Sequence, residues 1–237
     1  MLVISIIIPA HNEADTILTL LNAVQSGIKT VSEVSFEVIV VNDSSTDDTA
    51  ELLMQNKHLF DKVIHLPKQC GKGGAVHSAL QEATGKFVLF QDADLEYNPL
   101  DYEKLIRPVL EFDSDVVMGS RFVGSEWTRV QYFWHKVGNR LITLFFNILN
   151  NTTFTDIYCC YLLYRRSLVP RKKIRTMGWD QHGEILALAV RNGKIFFEVP
   201  VNYRGRTYSE GKKIRPHHFF TVIWTILTTR LRRDVRN

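Results

Sequence analysis

Short runs of β-branched residues alternate with helix-spaced segments through the first half of the chain. The β-branched runs predict strands at residues 3–8, 36–41, 62–66, 86–90 and 115–118. Apolar spacing near the helical period predicts intervening helices at residues 15–25, 46–56, 73–83 and 100–112. This alternation is typical of an α/β fold in which helices flank a mostly parallel central sheet.

The second half of the chain is less regular. Its patterns predict a helix at residues 133–149, a strand at 158–164, a helix at 181–191 and a strand at 194–199. No Gly/Ser-rich or Pro-rich stretch divides the 237 residues, and 45% of them are hydrophobic, enough for a full core. We expect one main domain over residues 1–216, followed by an amphipathic basic helix over residues 217–237.

The chain begins with an apolar run from Met1 to Pro9. The run lacks a basic n-region and a small-residue cleavage site, so it predicts a first strand rather than a signal peptide. We therefore expect a cytoplasmic protein.

Polar clusters stand where the predicted strands end. They are residues 11–13, 42–45, 91–96 and 119–121. In parallel α/β folds, ligands bind at the carboxyl ends of the strands. The sequence therefore predicts a binding site at this edge of the sheet.

Two carboxylates, Asp92 and Asp94, follow the strand predicted at residues 86–90. In an extended chain residues i and i+2 point the same way, and converging carboxylates need a cation between them. Hard oxygen ligands favour Mg²⁺ or Mn²⁺, and such an ion can stabilise a departing nucleoside diphosphate. The alternative interpretation is a solvated turn that caps a helix near Pro99.

Asp43 follows the strand predicted at residues 36–41. Its carboxylate could accept hydrogen bonds from a nucleobase or a ribose. The alternative is a helix N-cap cluster in which Ser45 and Asp48 form a capping-box variant. Both interpretations are compatible, because Ser45 can cap while Asp43 binds.

The Gly-rich segment 71–75 invites comparison with phosphate-binding loops. A Walker loop needs glycine where Leu66 stands, and a dinucleotide fingerprint needs glycine where Val76 stands. The segment instead predicts a flexible loop that starts a helix, with Lys72 near an anionic ligand.

The formal net charge of +4 is concentrated near the end of the chain. Residues 204–237 hold nine Lys and Arg against Glu210 and Asp234, a balance of +7 that leaves −3 for residues 1–203. This asymmetry indicates an anionic partner, either a membrane surface, a phosphate-bearing substrate or a nucleic acid.

Residues 217–229 contain no Lys, Arg, Asp or Glu, and arginines follow at positions 230, 232, 233 and 236. One helical face carries large apolar side chains, namely Phe220, Ile223, Trp224, Leu227 and Leu231. Thirteen residues fall short of the ~20 needed to span a bilayer. The segment suits an interfacial helix on anionic lipid, and the alternative is a core-packing helix with a solvated basic end.

Five motifs in order resemble family 2 glycosyltransferases of the polyprenyl-phosphate sugar synthase type, the dolichyl-phosphate mannose synthase group. They are Pro9-Ala-His-Asn-Glu13, Val41-Asn-Asp43, Asp92-Ala-Asp-Leu-Glu96, Gly119-Ser-Arg121, and Arg206 with Lys212. The resemblance covers the chain from Pro9 to about Lys213. It implies the GT-A fold and a nucleotide-diphosphate-sugar donor.

The resemblance also implies residue roles. The donor site would comprise Pro9, Ala10, His11, Glu13, Val41, Asp43, Asp92 and Ala93. The Mg²⁺ or Mn²⁺ ligands would be Asp92, Asp94 and Glu96. Phosphates of donor and acceptor would be held by Arg121, Arg206 and Lys212. Glu96 stands where the mannose synthases usually have Gln, and Glu210-Gly-Lys-Lys213 replaces their usual Gly-x-Ser-Lys run. These departures leave the sugar open, with GDP-mannose and UDP-glucose both credible donors.

A lipid monophosphate suits this site as acceptor, because its second pKa of about 6 means that it arrives already anionic. The enzyme then needs cations, which Arg121, Arg140, Arg206 and Lys212 could supply, rather than a base. Attack opposite the departing diphosphate would invert the anomeric centre. If the acceptor is a hydroxyl, a base is required, and Asp180 and Glu184 are the candidates.

The leading hypothesis is a metal-dependent, inverting glycosyltransferase that makes a polyprenyl-phosphate sugar and associates peripherally with the cytoplasmic membrane face. A second hypothesis keeps the donor but places a saccharide or protein hydroxyl in the acceptor site. A third is a non-catalytic basic module that binds lipid or nucleic acid. The leading hypothesis expects no nucleic acid partner.

Overall fold

Seven strands form one sheet in the described part of the chain, which comprises residues 1–124, 129–130, 132–206 and 218–232 of the computed structural model. The strands are β1 (Leu2–Ala10), β2 (Val34–Asn42), β3 (Lys62–His65), β4 (Phe87–Phe90), β5 (Val116–Ser120), β6 (Leu162–Arg165) and β7 (Phe196–Pro200). Their order across the sheet is β3-β2-β1-β4-β6-β5-β7. β6 runs antiparallel to β4 and β5, and the other pairs are parallel. The predicted mostly parallel α/β sheet is confirmed.

Helices cover this sheet. They are α1 (Ile17–Lys29), α2 (Thr49–Gln55), α3 (Gly71–Glu82), α4 (Tyr102–Phe112), α5 (Phe133–Asn150), α6 (Gln181–Asn192) and α7 (His218–Leu231). In β1 the consecutive residues Ile6, Ile7 and Ile8 are fully buried. Successive side chains of a strand point to opposite faces, so the sheet is covered on both faces at β1.

The strand predicted at residues 158–164 is present, but its predicted start is four residues too early. β6 begins only at Leu162, and the chain before it makes a turn in which the Cys159 amide donates to the Asp156 carbonyl, 3.4 Å away. The residues of this turn are as buried as strand residues, with Ile157, Cys159 and Tyr161 fully enclosed. A continuous apolar run indicates burial, but it does not distinguish a buried turn from a buried strand.

α7 packs against α5 and α6 through one face. Val222 and Ile226 are buried, and the hydroxyl of Thr225 donates to Asp180 just before α6, at 2.7 Å. The opposite face exposes Trp224. The helix therefore combines a core-packing face with an exposed apolar face. Within the described residues, no helix is long and apolar enough to cross a membrane.

Glu184 of α6 was a candidate base, and this prediction is wrong. Its carboxylate is fully buried and pairs with Arg232 at the end of α7, 2.7 Å away. It also accepts the backbone N–H groups of Arg175 and Thr176. A buried carboxylate must be paired, so Glu184 joins α6 to α7 rather than facing a substrate.

Two helical glycines differ in their surroundings. Gly73 in α3 lies against the backbone of Met177, and a β-carbon there would overlap the Met177 carbonyl group. Gly138 in α5 has space for a β-carbon among the described residues. The approach of the 177 loop to α3 therefore requires glycine at position 73.

We predict that Gly73→Ala lowers the free energy of unfolding by about 1–3 kcal/mol, because the added methyl group overpacks this contact. Gly138→Ala is the matched control and should raise it by about 0.5–1 kcal/mol, since alanine is the better helix former. Urea denaturation of both variants measures the difference. Equal stability of the two variants would contradict the close approach.

Candidate active site

A cavity of about 620 Å³ opens at the carboxyl ends of β1, β2, β4 and β5. Most of the side chains predicted for the site line it, namely Pro9, Ala10, His11, Glu13, Asp43, Lys72, Asp92, Ala93, Asp94, Glu96, Arg121 and Arg206. α5 and α7 supply a further wall that includes Trp134, Asn139 and Phe219. The predicted edge of the sheet therefore carries the largest concentration of candidate residues.

Several predicted site residues lie elsewhere in the described structure. Val41 is fully buried in β2, because its side chain belongs to the sheet core. Arg140 lies on the exposed surface of α5. Val41, Arg140, Asp180 and Glu184 are not among the described residues that line the cavity. Lys212 lies outside the described residues.

The acidic segment after β4 is a turn. Residues 93–96 bend back, Leu95 adopts the left-handed region with φ of 61°, and the Glu96 amide donates to Asp94 Oδ1 at 3.1 Å. The expectation of an extended chain through Asp92 and Asp94 is therefore wrong. The two carboxylates reach the same cavity because the turn holds them there.

Lys72 pairs with Asp92 at the start of α3. The Nζ atom is 2.5 Å from Asp92 Oδ1 and 5.5 Å from the centre of the Trp179 ring. Burial alone would lower the pKa of Lys72, but the neighbouring acidic groups, chiefly Asp92, together raise that pKa above its usual value. Lys72 therefore stays charged and neutralises Asp92.

Arg206 meets the remaining carboxylates of the turn. Its Nη2 atom is 2.8 Å from Asp94 Oδ2, and its Nε atom is 3.5 Å from Glu96 Oε1. Burial, followed by the Asp92 and Glu96 carboxylates, raises the pKa of Asp94 to about 7, against the opposing effect of Arg206. The cavity thus holds more acidic groups than its cations neutralise.

No three acidic, histidine or cysteine side chains of the described ranges form a ready-made metal cluster. Asp92 is engaged by Lys72, whereas Asp94 and Glu96 are engaged by Arg206. The three predicted ligands Asp92, Asp94 and Glu96 thus line one cavity. Their carboxylate oxygens pair there with Lys72 and Arg206.

Arg121 is held by a residue that the sequence analysis missed. Asp156 is fully buried and accepts from Arg121 Nε at 2.6 Å and from Nη2 at 2.8 Å, while Asn139 donates to it at 2.8 Å. The Arg121 guanidinium also lies 5.0 Å from the centre of the Tyr203 ring. A lone acid in an apolar run, as in Phe154-Thr-Asp-Ile157, was the available signal, because such a group needs a cationic partner.

Asp43 shapes the start of α3. Its two carboxylate oxygens accept the backbone N–H groups of Cys70 and Gly71 at 2.7 and 2.8 Å, and the His11 ring lies 2.9 Å from its carbonyl oxygen. Gly71 adopts φ of 76°, which favours glycine. The Gly-rich segment is therefore a fixed helix start that brings Lys72 to the cavity.

Comparison with known proteins places these features in a family. The model of the family described as glycosyl transferase family 2 matches residues 5–171. The dolichyl-phosphate beta-glucosyltransferase of Saccharomyces cerevisiae is 28% identical over 84% of this chain and 66% of its own length. The low-salt glycan biosynthesis hexosyltransferase Agl6 of Haloferax volcanii is 26% identical over 86% of this chain and 48% of its own length. The chain thus spans less than two thirds of these relatives.

Solved structures show the same fold. Glucosyl-3-phosphoglycerate synthase from Mycobacterium tuberculosis, in complex with Mn²⁺, UDP and glucosyl-3-phosphoglycerate, superposes with a TM-score of 0.68. The match covers 96% of this chain and 79% of that protein at 20% identity. The GT-A fold implied by the motifs is confirmed.

We predict that Asp156→Ala lowers the free energy of unfolding by about 3–5 kcal/mol, because it leaves the Arg121 guanidinium buried without its main counter-charge. Glu111→Ala is the control, since it removes an acid from an exposed pair with Arg107 on α4. That variant should change the stability by no more than about 1 kcal/mol. Urea denaturation decides, and similar losses in both variants would contradict a special role for Asp156.

Proposed function

Because the chain belongs to glycosyltransferase family 2, we propose that it is a metal-dependent, inverting transferase that moves a hexose from a nucleotide-diphosphate sugar to a polyprenyl phosphate. The donor is GDP-mannose or UDP-glucose, and the reaction takes place at the cytoplasmic membrane face. The observation that carries the proposal is the meeting of the acidic turn with Lys72, Arg121 and Arg206 in one cavity at the strand ends.

The cavity offers separate places for base and diphosphate. His11 and Asp43 lie where β1 and β2 end, beside the start of α3, and we assign the nucleoside to them together with Pro9 and Ala10. Lys72 and Arg206 lie beside the acidic turn, and we assign the diphosphate to that region. The bound UDP of the mycobacterial synthase supports a nucleotide site in this fold.

The donor set of the acidic turn fits Mg²⁺ or Mn²⁺. Asp94 and Glu96 already converge on one guanidinium, so their oxygens can share one cation. Carboxylate oxygens are the ligands that these ions prefer, and we assign Asp92, which lines the same cavity, as the third ligand. Such an ion, when bound, would neutralise charge on the departing diphosphate. The mycobacterial synthase was solved with Mn²⁺, which supports this choice.

The acceptor phosphate attacks the anomeric carbon, and the bond from that carbon to the donor phosphate oxygen breaks. The attacking oxygen is already ionised, so no protein base has to remove a proton. The two bases proposed for a hydroxyl acceptor, Asp180 and Glu184, do not line the cavity within the described residues. Arg121, fixed by Asp156, and Arg206 supply positive charge to the phosphates. Attack from the face opposite the leaving group inverts the configuration.

An apolar surface beside the cavity supports a lipid acceptor. The large exposed side chains of α5 and α7 are Phe133, Trp134, Leu141, Leu144, Ile148, Phe220, Trp224 and Leu231. Trp134 and Phe220 also line the cavity, so the apolar surface reaches its wall. Large exposed apolar side chains of this kind are typical of a membrane-binding surface. Arg230 is exposed beside it, whereas Arg232 is drawn into the pair with Glu184.

We predict that Asp94→Asn lowers transfer about a hundredfold, because it removes a carboxylate ligand of the ion that would stabilise the departing diphosphate. The assay follows radiolabelled sugar from the donor into the organic phase with polyprenyl phosphate and Mn²⁺. Asp48→Asn, an exposed acid before α2, is the control and should retain activity. Turnover that persists in EDTA would contradict the metal, and label that stays in the aqueous phase would contradict the lipid acceptor.

We predict that Trp224→Ser combined with Leu231→Ser weakens binding to anionic vesicles at least tenfold, because each side chain contributes roughly 1.5–3 kcal/mol when buried in an apolar phase. Phe112→Ser is the control, since Phe112 is exposed on α4. Vesicle flotation at low and high salt measures binding, and salt should release the wild type only in part, because apolar contacts persist. Wild-type protein that never floats would contradict the membrane surface.

A further inference from the structure

We propose that Arg206 is the built-in counter-cation of the acidic turn in the free protein, and that it competes with the divalent ion for the same carboxylates. The donor diphosphate would resolve this competition by drawing the guanidinium away. The inference rests on the metal-dependent transfer proposed above.

Arg206 is surrounded by carboxylates from two parts of the chain. Its Nη2 atom hydrogen-bonds Asp94 Oδ2 at 2.8 Å, its Nε atom lies 3.5 Å from Glu96 Oε1, and its Nη1 atom lies 4.0 Å from Glu13 Oε2. The side chains of all four residues are at most 21% exposed. A single guanidinium thus occupies the centre of the acidic set, where a metal ion would need the same oxygens.

The two cations cannot share these oxygens. Asp94 Oδ2 points its lone pairs at the guanidinium, and a divalent ion bound there would lie next to a like charge in a partly desolvated site. Metal binding therefore requires Arg206 to move. The free energy of its ion pairs is subtracted from the intrinsic affinity of the site for metal.

The guanidinium itself is incompletely satisfied in this position. Among the described residues, the buried Nε atom has no hydrogen-bond partner, and the Glu96 Oε1 atom lies 3.5 Å from it. An unmet buried donor is unfavourable. Diphosphate oxygens offer a guanidinium a bidentate acceptor, which satisfies two donors at once.

Donor and metal binding are therefore coupled through Arg206. The diphosphate engages the guanidinium and releases Asp94 and Glu96, and the released carboxylates then take the metal. By linkage, whatever the donor adds to the affinity for metal, the metal adds to the affinity for donor. The Arg206 backbone N–H and the Tyr203 hydroxyl hold Glu96 at 2.8 and 2.9 Å, so the carboxylate stays in place while the guanidinium leaves.

The test is a titration of the protein with Mn²⁺ alone, followed by the electron paramagnetic resonance signal of the free ion. Arg206→Gln should bind Mn²⁺ at least tenfold more tightly than the wild type. Arg204→Gln is the matched control, because Arg204 is exposed two residues away and its loss changes the net charge equally. It should stay within threefold of the wild type. Equal affinity of Arg206→Gln and Arg204→Gln would overturn the proposal.

Two further variants complete the design. Adding Asp94→Asn to Arg206→Gln should cancel the gain, which locates the ion at the acidic turn, and a gain that persists would overturn the proposal. Arg206→Lys keeps the positive charge but lacks the forked guanidinium, so its Mn²⁺ affinity should lie between those of the wild type and Arg206→Gln. This variant tests the competition if Arg206→Gln does not fold. UDP and GDP without metal should bind Arg206→Gln at least fivefold more weakly, and unchanged affinity for both would overturn the release by the diphosphate.

These titrations contain no acceptor and no turnover. A transferase with another acceptor would give the same Mn²⁺ affinities, so a failed lipid assay leaves this result intact. Conversely, if neither the wild type nor Arg206→Gln binds Mn²⁺, the competition is overturned, while transfer in EDTA still tests the proposed function separately.

Discussion

The need to neutralise partly buried carboxylates organises the cavity. An ionised carboxylate withdrawn from water costs several kcal/mol unless a cation accompanies it. Lys72 accompanies Asp92, and Arg206 accompanies Asp94. The two cations come from segments far apart in the chain, and both carboxylates stand on the single turn after β4. Pairing at one turn therefore fixes where the start of α3 and the segment after β7 can lie.

The same need to pair a buried charge fixes α7 against α6. The buried carboxylate of Glu184 needs Arg232, so the end of α7 is tied to α6, while Val222 and Ile226 seal the contact. With α7 held in this way, its remaining apolar face stays exposed beside the cavity. One face of α7 thus packs against the protein, and in the proposed function the other face contacts the membrane. These two contacts together explain the apolar pattern of the helix.

Much of the fold was predictable because the hydrophobic period is a local property. The first five strands and the four helices between them were located from that period, with ends that differ by a few residues, and the polar clusters after β1, β2, β4 and β5 do line the cavity. Both errors arise because the sequence pattern indicates burial and does not indicate the backbone conformation. The turn before β6 reads as a strand because burial alone leaves the same apolar pattern. The acidic turn reads as extended because nothing in the run 92–96 reports the left-handed conformation of Leu95.

The sequence by itself therefore determined the type of fold, the edge of the sheet that carries the site, and the chemistry of the residues there. Only the tertiary structure decided which charge meets which. Asp156 as the partner of Arg121, Arg232 as the partner of Glu184, and Arg206 within the acidic turn are long-range contacts. Periodicity records whether a position faces the core or the solvent, and it carries no information on the identity of a distant neighbour. The partner is selected only when the packed sheet and helices bring two charges into a space that excludes water.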